Sequence, residues 1–260
     1  MIPSPIHKVL LAMRQHGVRC LLMGGQACVL YGAAEFSRDT DLAILAEKEN
    51  LDALCRALAD LQAETIAVPP LEKRFLDRGH AVHFRCAHPE ALRLRIDIMS
   101  RMRGIESFTT MWQRRTTFDL PSGLSVEAMS LPDLVQAKKT QRDKDWPMIR
   151  RLLEANYFEN QRQPTPQRID FWLRELRTVP LLIETAVSFS SRAAELQAER
   201  PLLKFALVGG VEELESALYL EQKQEQALDR QYWLPLRAEL EALRRERIAK
   251  TSDEPPPFSS

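Results

Sequence analysis

The fold of this chain is decided by two stretches, LLMGGQA at residues 21–27 and FSRDTDLAI at residues 36–44. An apolar run ends in a glycine pair and gives way to a helix-like segment, and a second apolar strand then opens with two aspartates. Side chains i and i+2 of a strand share one face, so Asp39 and Asp41 are expected to project together. Adjacent carboxylates repel unless a cation lies between them, and a divalent metal is a common occupant. The two stretches therefore predict a metal site beside a glycine turn suited to phosphate.

A third acid and several plainer explanations accompany this pattern. Asp97 lies in a strand-like run at residues 92–99. Arg93 and Arg95 share its strand face, so Asp97 either completes a carboxylate triad or forms a salt bridge to one of these arginines. The D-x-D pair is likewise either a metal site or a solvated strand edge. The glycine pair either approaches a phosphate closely or only turns the chain from strand to helix.

The composition is that of an ordinary soluble globular protein. Of the 260 residues, 45% are hydrophobic and 28% are charged, and the 36 basic residues balance the 36 acidic ones. No overall electrostatic field therefore draws the chain to nucleic acid or to a membrane. No run approaches the roughly 18 apolar residues that cross a bilayer, and the start lacks the apolar core of a signal peptide. The four cysteines form no CxxC pair. We expect a cytoplasmic protein without a membrane partner.

Hydrophobic periodicity predicts an α/β first part followed by helices. Strands are expected over residues 18–23, 41–45, 81–86, 92–99 and 125–129. Helices are expected over residues 5–15, 25–31 and 50–61. At Ser130 the sequence Ser-Leu-Pro-Asp is a typical helix start, and helical patterns dominate from there onward.

The same patterns predict how the chain divides into domains. An α/β domain with its trailing helices is expected over residues 1–158, and a helical domain over residues 164–250. A polar segment with two prolines, residues 160–166, would link them. About four helices are expected beyond this linker, the last of them beginning near Pro235. Residues 251–260, which contain three consecutive prolines, are expected to be a disordered tail.

Two further segments are rich in charged or metal-binding side chains. Residues 138–145 hold four cations and two acids, which indicate either a solvated helix turn or a basic cluster that faces a triphosphate. Residues 80–88 hold three histidines and one cysteine. A zinc site there is disfavoured, because His83 and Cys86 would point to opposite faces of a strand.

Together these features resemble the nucleotidyltransferase superfamily of the DNA polymerase β type. The resemblance spans residues 16–155 and is carried by the glycine pair after a strand, the spacing to the D-x-D pair and the later lone acid. It looks closest to the minimal bacterial branches, including AbiEii-like toxin enzymes, where a K…R-x-K-D segment follows the third acid, as at residues 139–145 here. The resemblance implies an α+β fold, with a nucleotidyltransferase-type mixed sheet flanked by helices and a C-terminal all-α region.

The resemblance also implies a role for each matching residue. The catalytic residues, which would bind two Mg²⁺ ions, are Asp39, Asp41 and Asp97. Of these, Asp97 would act as general base toward an attacking hydroxyl. The residues that would bind the nucleoside triphosphate and its phosphates are Gly24, Gly25, Ser37, Arg38, Lys139, Arg142 and Lys144. Ser37 is equally well explained as a structural residue.

The activity implied is Mg²⁺-dependent transfer of a nucleoside monophosphate to a hydroxyl of an RNA 3′ end, a protein or a small molecule. Two departures favour a rival interpretation: Thr40 separates the acids where relatives carry an aliphatic residue, and Glu35 stands where several carry arginine. In that interpretation the chain is a degenerate nucleotidyltransferase that serves as a binding or regulatory protein, for example in a toxin–antitoxin pair. The C-terminal helices would then hold a protein partner or a second copy of the chain.

Overall fold

The structure is a computed structural model that describes residues 4–34 and 36–252. Its strands are β1 (Cys20–Met23), β2 (Thr40–Ile44), β3 (Ala63–Thr65), β4 (Val82–Cys86), β5 (Arg95–Met99), β6 (Thr116–Asp119) and β7 (Ser125–Ala128). Its helices are α1 (Ser4–Gln15), α2 (Gly24–Leu30), α3 (Lys48–Asp60), α4 (Lys73–Arg78), α5 (Phe108–Gln113), α6 (Leu131–Lys138), α7 (Trp146–Asn160), α8 (Pro166–Glu175), α9 (Val179–Ser188), α10 (Ser190–Glu195), α11 (Leu203–Leu207) and α12 (Val211–Ser252).

The described strands form one mixed sheet in the order β3-β4-β5-β2-β1-β7-β6. β2 runs parallel to β5, and β1 runs parallel to β7, whereas the other neighbouring strands are antiparallel. Helix α1 precedes the first strand, and further helices lie between the strands along the chain. From Leu131 onward the described elements are helical. The predicted α+β class, a mixed sheet with flanking helices and a C-terminal all-α region, is confirmed.

Burial alternates along β5 and separates an apolar face from a polar one, whereas β1 and β2 are mostly buried on both faces. Leu22 and Leu42 are opposite each other on β1 and β2, and both are fully buried. Ile96 and Ile98 continue this buried face on β5. Since successive side chains of a strand point to opposite faces, the residues between them lie on the other side of the sheet. The acids of β2 and β5 are among these intervening residues.

The helices after the sheet begin at the predicted cap. The Ser130 hydroxyl accepts a hydrogen bond from the backbone N–H of Asp133 at 3.3 Å, and a proline occupies the first turn of α6. Further along, α7 packs on α8: the Trp172 indole N–H donates to Asn156 at 2.9 Å, and the Tyr157 ring lies 4.9 Å from the Trp172 ring. α7 therefore belongs with the helices beyond the linker, whereas the sequence groups it with the sheet.

The described residues divide into two compact units. The sheet unit contains residues 4–26, 37–129 and 231–252, and therefore all seven described strands. The helical unit contains residues 27–36, apart from residue 35, and residues 130–230. The long helix α12 contributes its first part to the helical unit and its last part to the sheet unit.

Two sequence expectations need correction or completion. The last helix does not begin near Pro235, because α12 begins at Val211 and contains that proline. An interior proline costs about 3 kcal/mol, so the pattern favoured a start there, and the buried side chain of Leu236 is one contact that offsets this cost. Of the predicted tail, Thr251 and Ser252 are helical, and the remainder lies outside the described residues.

Short elements make up most of what the periodicity missed. β3, α4, α5 and β6 have three, six, six and four residues, which is too short for a helical or strand period to be recognised. Five helices rather than four follow the linker in the described chain. Within the same residues, none of the helices combines the length and apolar character that a membrane span requires.

Candidate active site

Two of the predicted acids are neighbours in the sheet. The parallel pairing of β2 with β5 sets Asp41 opposite Asp97, and neighbouring strands lie about 4.8 Å apart. Both side chains are half-buried, whereas Asp39 comes just before β2 and is exposed. Asp39 precedes Asp41 by two residues and lies in a bend before β2, and its charge acts on Arg95 together with the charges of Asp41 and Asp97.

An arginine and a histidine hold the third acid. The Arg95 Nε–H donates to the Asp97 carboxylate at 2.7 Å, and the His83 ring nitrogen Nδ1 lies 2.8 Å from the same oxygen. Nδ1 also lies 3.0 Å from an Arg95 guanidinium nitrogen. Because Nδ1 carries either one proton or one lone pair, it either donates to Asp97 or accepts from Arg95. In both cases Asp97 is bound by a cation from its own strand.

The charges of all three acids act on Arg95. Its pKa is raised above the ordinary value, first by the hydrogen bond to Asp97 and then by the charges of Asp97, Asp39 and Asp41, although burial works in the opposite direction. Burial alone would raise the pKa of Asp97, but hydrogen bonds from His83 and Arg95 outweigh it and hold that pKa below the ordinary value. The Asp97 carboxylate is therefore stabilised in its charged form.

The three acids have the ligand chemistry that a divalent metal requires, but their side chains are not grouped around one point. Mg²⁺ prefers oxygen ligands, and Asp39, Asp41 and Asp97 supply only carboxylate oxygens. The guanidinium of Arg95 supplies a positive charge next to these acids. Within residues 4–34 and 36–252, however, no three His, Cys, Asp or Glu side chains are grouped closely enough to hold a metal ion. In this structure Arg95, rather than a group of three ligands, provides the counter-charge.

The glycine pair lies against the same acids. Gly24 has a φ of +65°, and a Cβ atom placed there would lie 1.8 Å from an Asp41 carboxylate oxygen. A Cβ at Gly25 would lie 2.3 Å from the Ser37 hydroxyl. Only residues without a side chain fit at these positions, so β1 and α2 approach the D-x-D segment closely. Whether the same turn holds a phosphate stays a prediction.

A buried glutamine that the sequence analysis missed fixes the segment before the acids. Gln26 is fully buried, and its side-chain N–H donates to the backbone carbonyl of Ser37 at 2.7 Å. Among the residues that the structure describes, neither its amide oxygen nor the buried hydroxyl of Thr40, between the two acids, has a hydrogen-bond partner. Arg38 is exposed, and Ser37 is half-buried. Gln26 follows the glycine pair directly, which is the signal that could have identified it.

The predicted basic residues lie in the helical unit and are partly paired there. Lys139 is buried and forms an ion pair with Glu175 at 2.8 Å. The Arg142 guanidinium contacts Asp145 at 2.8 Å, whereas Lys144 is exposed. Lys139 and Arg142 therefore each form an ion pair with an acid of the helical unit. A role in phosphate binding remains a prediction for Lys139, Arg142 and Lys144.

The contact between Arg95 and Asp97 is one of the alternatives that the sequence leaves open. The sequence allows a salt bridge from Asp97 to Arg93 or Arg95, and the structure selects Arg95. Arg93 has a φ of +62° and lies before β5, so it does not continue the strand face. The sequence marks His83 only as a potential ligand of the disfavoured zinc site. Its pairing with Asp97 follows from the antiparallel register of β4 with β5, which the sequence does not reveal.

Comparisons with known proteins add little to this geometry. No family model matches the sequence, and no curated protein matches it. One similar solved structure is the solution structure of antibiotic-resistance factor ANT(2'')-Ia, with a TM-score of 0.36 and 14% identity over 75% of this chain and 95% of that chain. A likeness at this TM-score carries no argument, so the α+β fold stands on the strands and helices described above.

Proposed function

We propose that this protein is a Mg²⁺-dependent nucleotidyltransferase that moves a nucleoside monophosphate from a nucleoside triphosphate to an acceptor hydroxyl. The observation that carries the proposal is the parallel register of β2 with β5, which sets Asp41 beside Asp97. Because the two acids come from segments more than fifty positions apart in the sequence, their pairing at a glycine turn is what a built carboxylate site requires.

Each residue of the site has a role in this proposal. Asp39, Asp41 and Asp97 would hold Mg²⁺, which when bound stabilises negative charge on the phosphates. The acceptor oxygen forms a bond to the α-phosphorus, the bond to pyrophosphate breaks, and the hydroxyl proton passes to a base. Asp97 is the candidate base, but a carboxylate held by Arg95 is a weak proton acceptor. The glycine turn at Gly24 would let the triphosphate approach the backbone.

The acceptor is proposed from charge alone. Equal numbers of acidic and basic residues disfavour a large nucleic-acid footprint, because each phosphate contact needs a cation. A small molecule or a protein hydroxyl is therefore favoured over a long RNA, although a short RNA 3′ end needs few contacts. A cytoplasmic location, where nucleoside triphosphates are abundant, belongs to the same proposal.

The test incubates the protein with each α-labelled nucleoside triphosphate, Mg²⁺ and separate fractions of cell RNA, protein and small molecules. We expect one fraction to become labelled, with release of pyrophosphate. Asp41→Asn should lower this rate at least about 1,000-fold. Asp52→Asn removes an exposed acid that pairs with Lys48 on α3 and should leave the rate unchanged. Absence of pyrophosphate with every nucleotide, or an unaffected Asp41→Asn variant, would contradict the proposal.

A second candidate is a binding protein that keeps the fold without the transfer. The contact between Arg95 and Asp97 favours it, because a permanent salt bridge would leave no carboxylate triad for a metal. The proposed placement among minimal, AbiEii-like proteins and a part in a toxin–antitoxin pair belong here, with a partner on the C-terminal helices. Nucleotide binding by titration calorimetry, without pyrophosphate release, is the result that distinguishes this candidate from the enzyme.

A further inference from the structure

We infer that Arg95 is an internal counter-cation that competes with divalent metal for the carboxylates of Asp39, Asp41 and Asp97. Metal binding would then require Arg95 to leave Asp97, so the salt bridge weakens the affinity of the site for metal. This inference rests on the proposed function, since it concerns the metal that the function needs. It adds a residue that the sequence pattern does not assign to the site.

On β5, Arg95 lies next to the carboxylate that a metal would bind. Arg95 and Asp97 are two residues apart on one strand, so their side chains project from the same face. The guanidinium contacts the Asp97 oxygen at 2.7 Å, and Asp97 is opposite Asp41 in the parallel register. A cation bound between the two aspartates would therefore share Asp97 with Arg95. Two positive charges within a few ångströms of one carboxylate repel each other.

The acids of β2 reach the same guanidinium. Charges on Asp39 and Asp41 both stabilise the protonated form of Arg95. Arg95 therefore lowers the repulsion among three acids that would otherwise face one another without a metal. A divalent ion could perform the same task, which is why the two are expected to exclude each other rather than bind together.

His83 gives the salt bridge a second support. Its Nδ1 atom lies within hydrogen-bond distance of both Asp97 and Arg95. The ring therefore helps to hold Asp97 in the orientation that faces Arg95, from the neighbouring strand β4. Release of Arg95 would leave the contact between His83 and Asp97 in place.

The neighbouring strand offers a matched control. Arg85 on β4 is directly opposite Arg95 in the antiparallel register and is exposed. Substitution of Arg85 by glutamine removes the same charge from almost the same place, but it leaves the contact with Asp97 intact. A comparison of the two variants therefore separates direct competition from a general change in electrostatic field.

The experiment measures Mn²⁺ binding to nucleotide-free protein by electron paramagnetic resonance of the free ion, at constant ionic strength. Arg95→Gln should bind Mn²⁺ about tenfold more tightly than the wild type, because a partly exposed ion pair and a nearby repulsive charge are both removed. Arg85→Gln should change the affinity less than about twofold. Addition of Asp97→Asn to Arg95→Gln should abolish the gain.

Two results would overturn the inference. One is an Arg95→Gln affinity equal to that of the wild type, and the other is an equal gain in Arg85→Gln. If Arg95→Gln does not fold, Arg95→Lys takes its place. Lysine keeps the charge but lacks the Nε donor to Asp97, so it should tighten Mn²⁺ binding about threefold. An unchanged affinity in that variant would contradict the competition as well.

Pyrophosphate release, measured on the same preparations, keeps this inference apart from the proposed function. If Arg95→Gln binds Mn²⁺ more tightly and neither the wild type nor the variant transfers a nucleotide, the result supports the counter-cation and contradicts the enzyme. Transfer by the wild type, together with unchanged Mn²⁺ affinity in Arg95→Gln, supports the enzyme and contradicts the counter-cation.

Discussion

The acids of the sheet unit and the basic segment of the helical unit are both rich in charge, but their charges are balanced differently. Where β2 pairs with β5, the register sets two like charges, Asp41 and Asp97, opposite each other, and Arg95 contacts one of them. In the basic segment, residues 138–145, Lys139 forms an ion pair with Glu175 and Arg142 with Asp145, and both acids belong to the same unit. Like charges that strand register places side by side, rather than charge density, distinguish a candidate ligand site from a structural ion-pair cluster.

The difference has a physical origin in how each region is built. Strand register places side chains of distant segments at fixed positions, so like charges can be forced together by backbone hydrogen bonds. A helix end followed by a turn leaves its side chains free to find opposite charges nearby. Like charges that strand register holds together destabilise the fold when no ligand is bound, and such a pair therefore indicates a ligand site. Opposite charges that pair near a helix end stabilise the fold and indicate a structural role.

The largest effect is expected where the glycine turn meets the acids. Gly24→Ala should destabilise folding by about 3 kcal/mol, because a positive φ strains alanine and its Cβ would overlap the Asp41 carboxylate. Gly123→Ala has a similar φ but nothing within 4 Å of its Cβ, so about 1 kcal/mol is expected. Urea unfolding of both variants gives the comparison. Equal losses would show that Gly24 is only a turn residue.

A smaller effect should separate the two lysines of the basic segment. Lys139→Ala should cost about 2 kcal/mol, because it leaves the Glu175 carboxylate, only 19% exposed, without its cation. Lys144→Ala, at an exposed position, should cost less than about 0.5 kcal/mol. Chemical denaturation measures both. The double variant Lys139→Met with Glu175→Gln should recover most of the loss, since no unpaired charge remains.

The opposite pattern at these lysines would break the comparison. If Lys139→Ala keeps its full stability but loses affinity for nucleotide, the basic segment is a phosphate site and its ion pairs are secondary. Nucleotide affinity is therefore measured by titration calorimetry on the same samples.

The smallest effect concerns acid pH. Hydrogen bonds hold the pKa of Asp97 below its ordinary value of 3.8, against the effect of burial. A carboxyl with a lowered folded-state pKa stabilises the protein fully above its unfolded pKa, and this contribution is lost as pH decreases through the folded value. The stability difference between wild type and Asp97→Asn should therefore be constant near neutral pH and shrink below about pH 4. A difference that is independent of pH would show that the salt bridge contributes nothing.

The sequence predicted those parts of the site that depend on local patterns. An apolar run that ends at Gly24 marks the end of β1, and Ser130 with its following proline marks the start of α6. Both follow from short-range rules of backbone geometry and capping. The α+β class followed in turn from the order of such segments.

Register and partner choice could not be predicted in this way. Asp41 is opposite Asp97 only because β2 pairs with β5 and not with the next strand along the chain, which is a result of tertiary packing. Arg95 was chosen over Arg93 because the chain at Arg93 turns to positive φ before β5 begins. Pro235 lies inside α12 because tertiary contacts outweigh an unfavourable local preference.

The central claim is that the acids beside the pairing of β2 with β5 bind a divalent cation. Paramagnetic broadening of amide NMR signals by substoichiometric Mn²⁺ tests this claim most directly. We predict that the signals of Asp39, Asp41 and Asp97 disappear first, while that of Thr117 on β6, three strands from β2, persists. Broadening that begins elsewhere in the chain, or none at any Mn²⁺ concentration, would contradict the account.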